Sequence, residues 1–309
     1  MTKIYIDGSA GTTGLRIRER LAARQDMEIL TLPEELRKDE PSRRQRMNES
    51  DITFFCLPDA AAVEAKALVT EPHVRIIDTS TAHRTQPGWH YGFPELSRGH
   101  REGLARAARV SVPGCHASGF LALVYPLVTG GILPADYPLV CYSVTGYSGG
   151  GKSMIAAYQD PERDEELNSP RQYGVTQQHK HLKEMQAVPG LLRAPVFAPI
   201  VADYYSGMVV SVPLYTHLLS GKHTPESLRE YFREYYEGQP LLHVADEVPS
   251  FIGANTLAGK DTMELLVSGG DERILLAARF DNLGKGASGA AIQCMNIMLG
   301  LPETTGLEM

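Results

Sequence analysis

The apolar run Lys3-Ile-Tyr-Ile6 passes directly into Gly8-Ser-Ala-Gly11-Thr-Thr-Gly14, and then into Leu15-Arg-Ile-Arg-Glu-Arg-Leu21 with its helical spacing. Strand, glycine loop and helix in that order open a βαβ unit. Absent side chains let a pyrophosphate reach the backbone at a helix N-terminus, where Thr12 and Thr13 add hydroxyls; a purely structural turn is the other use of such glycines. Short apolar runs at Met27–Leu32, Ile52–Leu57 and Val74–Ile77 alternate with helical or polar stretches such as Ala60–Val69. Alternation of this kind predicts an α/β fold with a Rossmann-like, doubly wound parallel sheet.

Beyond residue 115 the texture changes. Pro138–Thr145, Gly207–Tyr215, Met263–Ser268 and Arg273–Phe280 read as strands, the last two joined by the hairpin signal Gly269-Gly270-Asp271-Glu272. An α+β domain with a mainly antiparallel sheet is expected there. Thr224-Pro225-Glu226 carries the cap and first position of a helix, and a final helix runs over Gly286–Leu299. The expected division is a dinucleotide-binding domain over 1–115, completed by 286–309, and a catalytic and oligomerisation domain over 116–285.

A chain of 309 residues, 43% of them hydrophobic, can bury a large core, and its net charge of −7 argues against a nucleic-acid partner. Cys56, Cys115, Cys141 and Cys294 are far apart, which predicts free thiols, no metal site and a reducing, cytoplasmic setting. No apolar run is long enough to span a membrane.

Cys115 lies between two glycines ahead of Phe120-Leu-Ala-Leu-Val-Tyr125. If that run opens a helix, the free N–H groups of the first turn favour a thiolate; a small residue buried in a tight turn is the alternative. Gln177-Gln-His179-Lys-His181-Leu-Lys-Glu184 reads as helical, so its two histidines point apart and only one faces the chemistry. His181 can pair with Glu184 and act as a base, with His179 the second choice; exposure of both on a polar helix is the bland reading.

Gly146-Tyr-Ser-Gly-Gly-Gly-Lys152-Ser153 matches the Walker A pattern, but Asp160-Pro161 breaks the helix that must follow within about two turns. A substrate loop with Lys152 as a phosphate contact is the preferred use. Asp78-Thr-Ser80-Thr-Ala-His-Arg84 follows a parallel strand, where its hydroxyls and Arg84 can meet an anion or simply form a capped loop. Glu34, Glu35, Arg37 and Lys38 past the second strand leave NAD and NADP both open.

In their order these residues resemble the short form of the N-acetyl-γ-glutamyl-phosphate reductase family, within the aspartate-semialdehyde dehydrogenase superfamily. The resemblance rests on Gly8–Gly14, Leu57-Pro58, Asp78-Thr-Ser80, Tyr91-Gly-Phe-Pro-Glu-Leu96, Pro113-Gly-Cys115, Ser148–Lys152, His179-Lys-His181 and Asp281-Asn-Leu-Gly-Lys-Gly286. The chain differs from the family's usual tracts at Lys180, Lys183 and Lys152, and has His116 where Tyr is common in the longer form. Aspartate-semialdehyde dehydrogenase is the runner-up; a P-loop hydrolase and a non-catalytic nucleotide-binding regulator are readings of other classes. The resemblance implies NADP(H), an acyl phosphate substrate, a homodimer or homotetramer, and a thioacyl intermediate on Cys115. It also implies nucleotide contacts from Gly8, Ser9, Gly11, Thr12, Thr13, Gly14, Ser80 and Asn282, and substrate contacts from Arg84, Lys152 and Glu184.

Overall fold

A computed structural model describes all residues, 1–309. The chain forms two compact units, one of Met1–Pro113 with Ala287–Leu307 and the other of Gly114–Gly286 with Glu308–Met309.

The first unit holds strands β1 (Thr2–Asp7), β2 (Met27–Leu30), β3 (Ile52–Phe55), β4 (Arg75–Asp78), β5 (His90–Tyr91) and β6 (Arg109–Ser111) in one sheet of order β2-β1-β3-β4-β6-β5. Every pairing is parallel, as expected. Ile52-Thr-Phe-Phe55 is buried at each position, as a strand covered on both faces must be. Helices α1 (Thr12–Ala22), α2 (Glu40–Glu49), α3 (Asp59–Leu68) and α4 (Arg98–Arg106) supply those covers. Because β1 lies between β2 and β3, the strand order reverses beside it, and its carboxyl end is where an open sheet of this kind binds ligands. Gly8 follows that end directly.

The second unit begins with α5 (Cys115–Thr129), whose residues Phe120–Val124 and Leu127 are fully buried. Helix α5 packs on its sheet at Gly119, where an added Cβ would lie 2.6 Å from the Val210 side chain. The remaining elements are β7 (Val140–Gly146), α6 (Gly151–Gln159), β8 (Arg171–Gln172), α7 (Leu182–Ala187), β9 (Val196–Ala202), β10 (Met208–Tyr215), α8 (Pro225–Tyr235), β11 (Leu242–Val244), β12 (Met263–Gly269) and β13 (Arg273–Phe280). The sheet order is β11-β12-β13-β10-β7-β9-β8, antiparallel except for the pairs β7–β9 and β11–β12. β7 alternates, with Cys141 and Ser143 buried, and Val140, Tyr142, Val196 and Tyr215 remain 36–57% exposed, while Leu265–Val267 of β12 are buried in succession. Thr224 caps α8 reciprocally with Ser227, with Pro225 at the first helical position.

The expected last helix is shorter than the sequence indicates. A π-helical turn over Gly284–Ser288 precedes α9 (Gly289–Met298). Helix α9 completes the first unit: Ile292, Cys294 and Met295 are buried in one apolar core with Ile4, Ile17 and Phe54.

Candidate active site

In the first unit, a cleft of about 520 Å³ opens at the end of β1, lined by Gly8–Gly11, Thr31, Glu34, Arg37, Lys38, Arg43 and Cys56, with Arg18 on its wall. The three glycines serve different ends. Gly8 has φ +86°, and a Cβ there would lie 2.2 Å from the Cys56 carbonyl; a Cβ on Gly14 would lie 2.5 Å from the Gly8 carbonyl. Both therefore keep the turn closed against β3. Gly11 is the N-cap of α1, with no side chain bonded to the first turn and no acidic residue in it, so the helix end is open to an anion. Thr12 and Thr13 lie inside that first turn and Ser9 lies on the cleft wall.

Arg43 is committed to Asp7 at 2.6 Å, and Arg37 to Glu34 at 2.9 Å. Burial pushes the Cys56 thiol up to about 12, so this cleft cysteine stays protonated. A glycine-lined cleft at a switch point, an uncapped helix end and cations from α1 and the loop after β2 fit a phosphorylated dinucleotide.

Ser80 and Arg84 lie at the end of β4. Buried Asp78 accepts from the Ser80 hydroxyl at 2.7 Å and contacts His83 Nδ1 at 2.6 Å, and His83 stacks on Trp89. Arg84 differs from expectation: it is buried, with its guanidinium donating to the carbonyls of Val112 at 2.9 Å and Thr79 at 3.2 Å. It braces two loops of the first unit.

In the second unit, Cys115 is the first residue of α5, and Gly114 is an N-cap without a side chain. The first turn holds no acidic residue, so its N–H groups and dipole act on the thiol. Glu184 is 1% exposed and accepts the Gly114 N–H at 3.2 Å, fixing the residue that precedes Cys115. A Cβ on Gly286 would lie 2.9 Å from Cys115 Cβ, so the π-helical turn passes close behind the cysteine.

The histidine pair corrects the sequence reading. Residues 179–181 form a turn, with His181 at the N-cap of α7, so the two imidazoles converge with centroids 4.7 Å apart. Both approach the ring of His116, at 5.6 Å and 5.5 Å. His179 Nδ1 accepts the His181 backbone N–H at 3.2 Å, which braces the turn. Sequence reasoning missed His116 itself, along with Ser143 and Tyr173. His116 Nδ1 lies 2.7 Å from Ser143 Oγ, and its Nε2 lies 2.6 Å from the Tyr173 hydroxyl. Burial, and secondarily the charges of His179 and Lys180, push His116 down to about 3.

The Walker-like loop does not feed a long helix. A 3₁₀ turn over Tyr147–Gly150 leads into α6, which ends at Gln159, and Lys152 is exposed on its first turn. Asn282 is 2% exposed and lies ahead of the π-helical turn instead of opening the last helix. It accepts the Gly207 N–H at 2.8 Å and donates to Ser148 Oγ at 3.0 Å, tying two loops together.

A dinucleotide-type cleft in one unit and, in the other, a helix-end cysteine followed by a buried imidazole fit the semialdehyde dehydrogenase class. Its family models match here: the NAD binding domain over residues 3–104 and the dimerisation domain over 115–282. Aspartate semialdehyde dehydrogenase II of Vibrio cholerae shares the fold, with a TM-score of 0.70 at 14% identity over 97% of this chain and 98% of that one.

Relatives narrow the class. N-acetyl-gamma-glutamyl-phosphate reductase 2 of a Nostoc species is 45% identical over 99% of both chains, and the Brucella anthropi N-acetyl-gamma-glutamyl-phosphate reductase is 47% identical over 96% and 98%. The chain belongs to the N-acetyl-γ-glutamyl-phosphate reductase family. It is an oxidoreductase acting on a small molecule, it carries the family's dimerisation domain, and no helix is long and apolar enough to cross a membrane.

Proposed function

We propose that this chain reduces N-acetyl-γ-glutamyl phosphate to N-acetylglutamate semialdehyde and phosphate with NADPH, in arginine biosynthesis. The observation that carries the proposal is Cys115 on the first turn of α5, followed directly by His116, on whose ring His179 and His181 converge. Cys115 thiolate attacks the acyl carbon and phosphate leaves with the electron pair of the broken C–O bond, which gives a thioacyl enzyme. The nicotinamide, when bound, supplies hydride to that carbon. Collapse of the resulting thiohemiacetal releases the semialdehyde and restores the thiolate.

His181 is the acid/base in this reading, because His179 Nδ1 already accepts a hydrogen bond from the His181 backbone N–H and holds the turn. Lys152, exposed on α6, is the phosphate contact, and Glu184 positions the cysteine through Gly114. Gly8–Gly14 and Ser80 hold the nucleotide, with Lys38 and Arg18 available to a 2′-phosphate. Asn282 acts by holding the Gly207 and Ser148 loops. The unit of Met1–Pro113 with Ala287–Leu307 is the nucleotide domain, and Gly114–Gly286, which carries Cys115, is the catalytic domain. The apolar outer face around Val140, Tyr142 and Val196 joins copies into a homodimer or homotetramer in the cytoplasm.

The test is semialdehyde oxidation with phosphate, comparing N-acetylglutamyl with aspartyl substrates and NADP⁺ with NAD⁺. Cys115→Ser should abolish turnover while nucleotide binding survives; retained turnover refutes the mechanism.

A further inference from the structure

His116 is too well buried to serve as an acid, yet it links two hydroxyls next to the nucleophile. Its tautomer follows from Ser143. That serine is 0% exposed on β7, and His116 Nδ1 is the hydrogen-bond partner of its hydroxyl. A proton on Nδ1 would leave the Ser143 O–H as a buried donor without an acceptor, at a cost of the size of a lost hydrogen bond. Ser143 therefore donates to Nδ1, and the imidazole proton resides on Nε2. Nε2–H in turn donates to the Tyr173 oxygen across 2.6 Å. The Tyr173 proton is thereby turned away from His116. Burial, and then the charge at Cys115, hold the Tyr173 phenol above its ordinary range, which keeps that proton in place and sets it within the field of the nucleophile.

We infer that Tyr173 donates a hydrogen bond to the acyl oxygen of the adduct on Cys115, and that His116 and Ser143 are positioning residues that aim it. The inference rests on the thioacyl reading. When the sulfur forms its bond to carbon, the carbonyl π pair moves onto oxygen, and a pre-aimed donor stabilises that charge without reorganising. No proton is transferred; as phosphate departs, the C=O bond re-forms and the hydrogen bond slackens. The titratable groups on elements packed around this centre are His179, Lys180, His181, Lys183 and Glu184 on the turn and α7, Lys285 on the π-helical turn, and Cys115 itself on α5.

Two readouts on the same purified variants test the donor. The first is kcat for semialdehyde oxidation, and the second is the rate of Cys115 alkylation by iodoacetamide, which builds no charge on an acyl oxygen. Tyr173→Phe should lower kcat about 100-fold, the usual loss on removing one such donor, and leave alkylation unchanged. His116→Phe should match that loss, the double variant should add little to it, and His116→Gln, whose amide N–H can replace Nε2–H, should recover most of the rate. Equal losses in alkylation and turnover, additive losses in the double variant, or no rescue by Gln would each overturn the inference. The wild-type substrate comparison tests the proposed function separately, and the variant ratios are read with whichever semialdehyde the wild type oxidises.

Discussion

Glycine to alanine inside a helix ordinarily stabilises by about 1 kcal/mol, because alanine has less backbone entropy to lose. Gly14, buried in the first turn of α1, should do the reverse. Its new Cβ would lie 2.5 Å from the Gly8 carbonyl and 3.0 Å from Ser9 Cα, and neither backbone atom can swing aside as a side-chain tip would. Reaching an ordinary contact requires the turn to retreat by roughly 1 Å, and overpacking of that kind costs about 1–3 kcal/mol. With both contacts on backbone atoms the clash falls in the upper half of that range, about 2–3 kcal/mol, and exceeds the propensity gain for a net loss of about 1–2 kcal/mol. In a domain of this size that lowers Tm by roughly 3–8 °C. Gly99 on α4 is the matched control: the nearest atom to its Cβ is Ser97 Oγ at 3.7 Å, so Gly99→Ala should hold or raise Tm. The measurement is thermal unfolding by circular dichroism, with and without NADP⁺. A Gly14→Ala protein that melts at or above wild type would refute the packing argument, and undiminished stabilisation by NADP⁺ would refute the turn's role in binding.

Three further outcomes are expected. Because folding holds His116 neutral down to about pH 3 while the unfolded side chain titrates near 6.5, its contribution is complete above pH 6.5 and erodes by up to about 1.4 kcal/mol per pH unit below it. Urea unfolding of His116→Gln should accordingly lose less stability between pH 7 and pH 4.5 than wild type does, and parallel curves would contradict the assignment. Lys38→Glu on the cleft wall should weaken NADP⁺ binding at least tenfold and NAD⁺ binding much less, read by fluorescence titration; equal effects would remove Lys38 from the phosphate site. Val196 is 57% exposed on the outer sheet face, so Val196→Asp should shift the mass found by light scattering towards the monomer, and an unchanged mass would exclude that face as the interface.

The parallel sheet was legible because its strands are short unbroken apolar runs, and α5 because its apolar residues leave no polar stripe. Strand β9 escaped notice because Pro199 interrupts Val196-Phe-Ala-Pro-Ile-Val-Ala202 and argues against an interior strand. The histidine pair was misread because helical spacing was assumed through residues that form turns; Gly174 and Gln177 both take positive φ just before it. His116, Ser143 and Tyr173 could not be found by spacing at all. Ser143 and Tyr173 lie 27 and 57 positions from His116 in the chain and meet it only where the start of α5 reaches β7 and the segment after β8. The place of Cys115 at the start of a helix was legible because a glycine ahead of an unbroken apolar run is a local signal.

The position of α9 bears on how the protein is made. The first unit draws part of its core, including Ile292 and Met295, from residues 287–307, whereas Gly114–Gly286 is a continuous stretch. During synthesis the amino-terminal sheet emerges first but lacks that apolar cover, so the segment translated second can complete its core earlier. The cleft at the end of β1, though encoded by early residues, therefore belongs to the unit whose core closes only once α9 has been made.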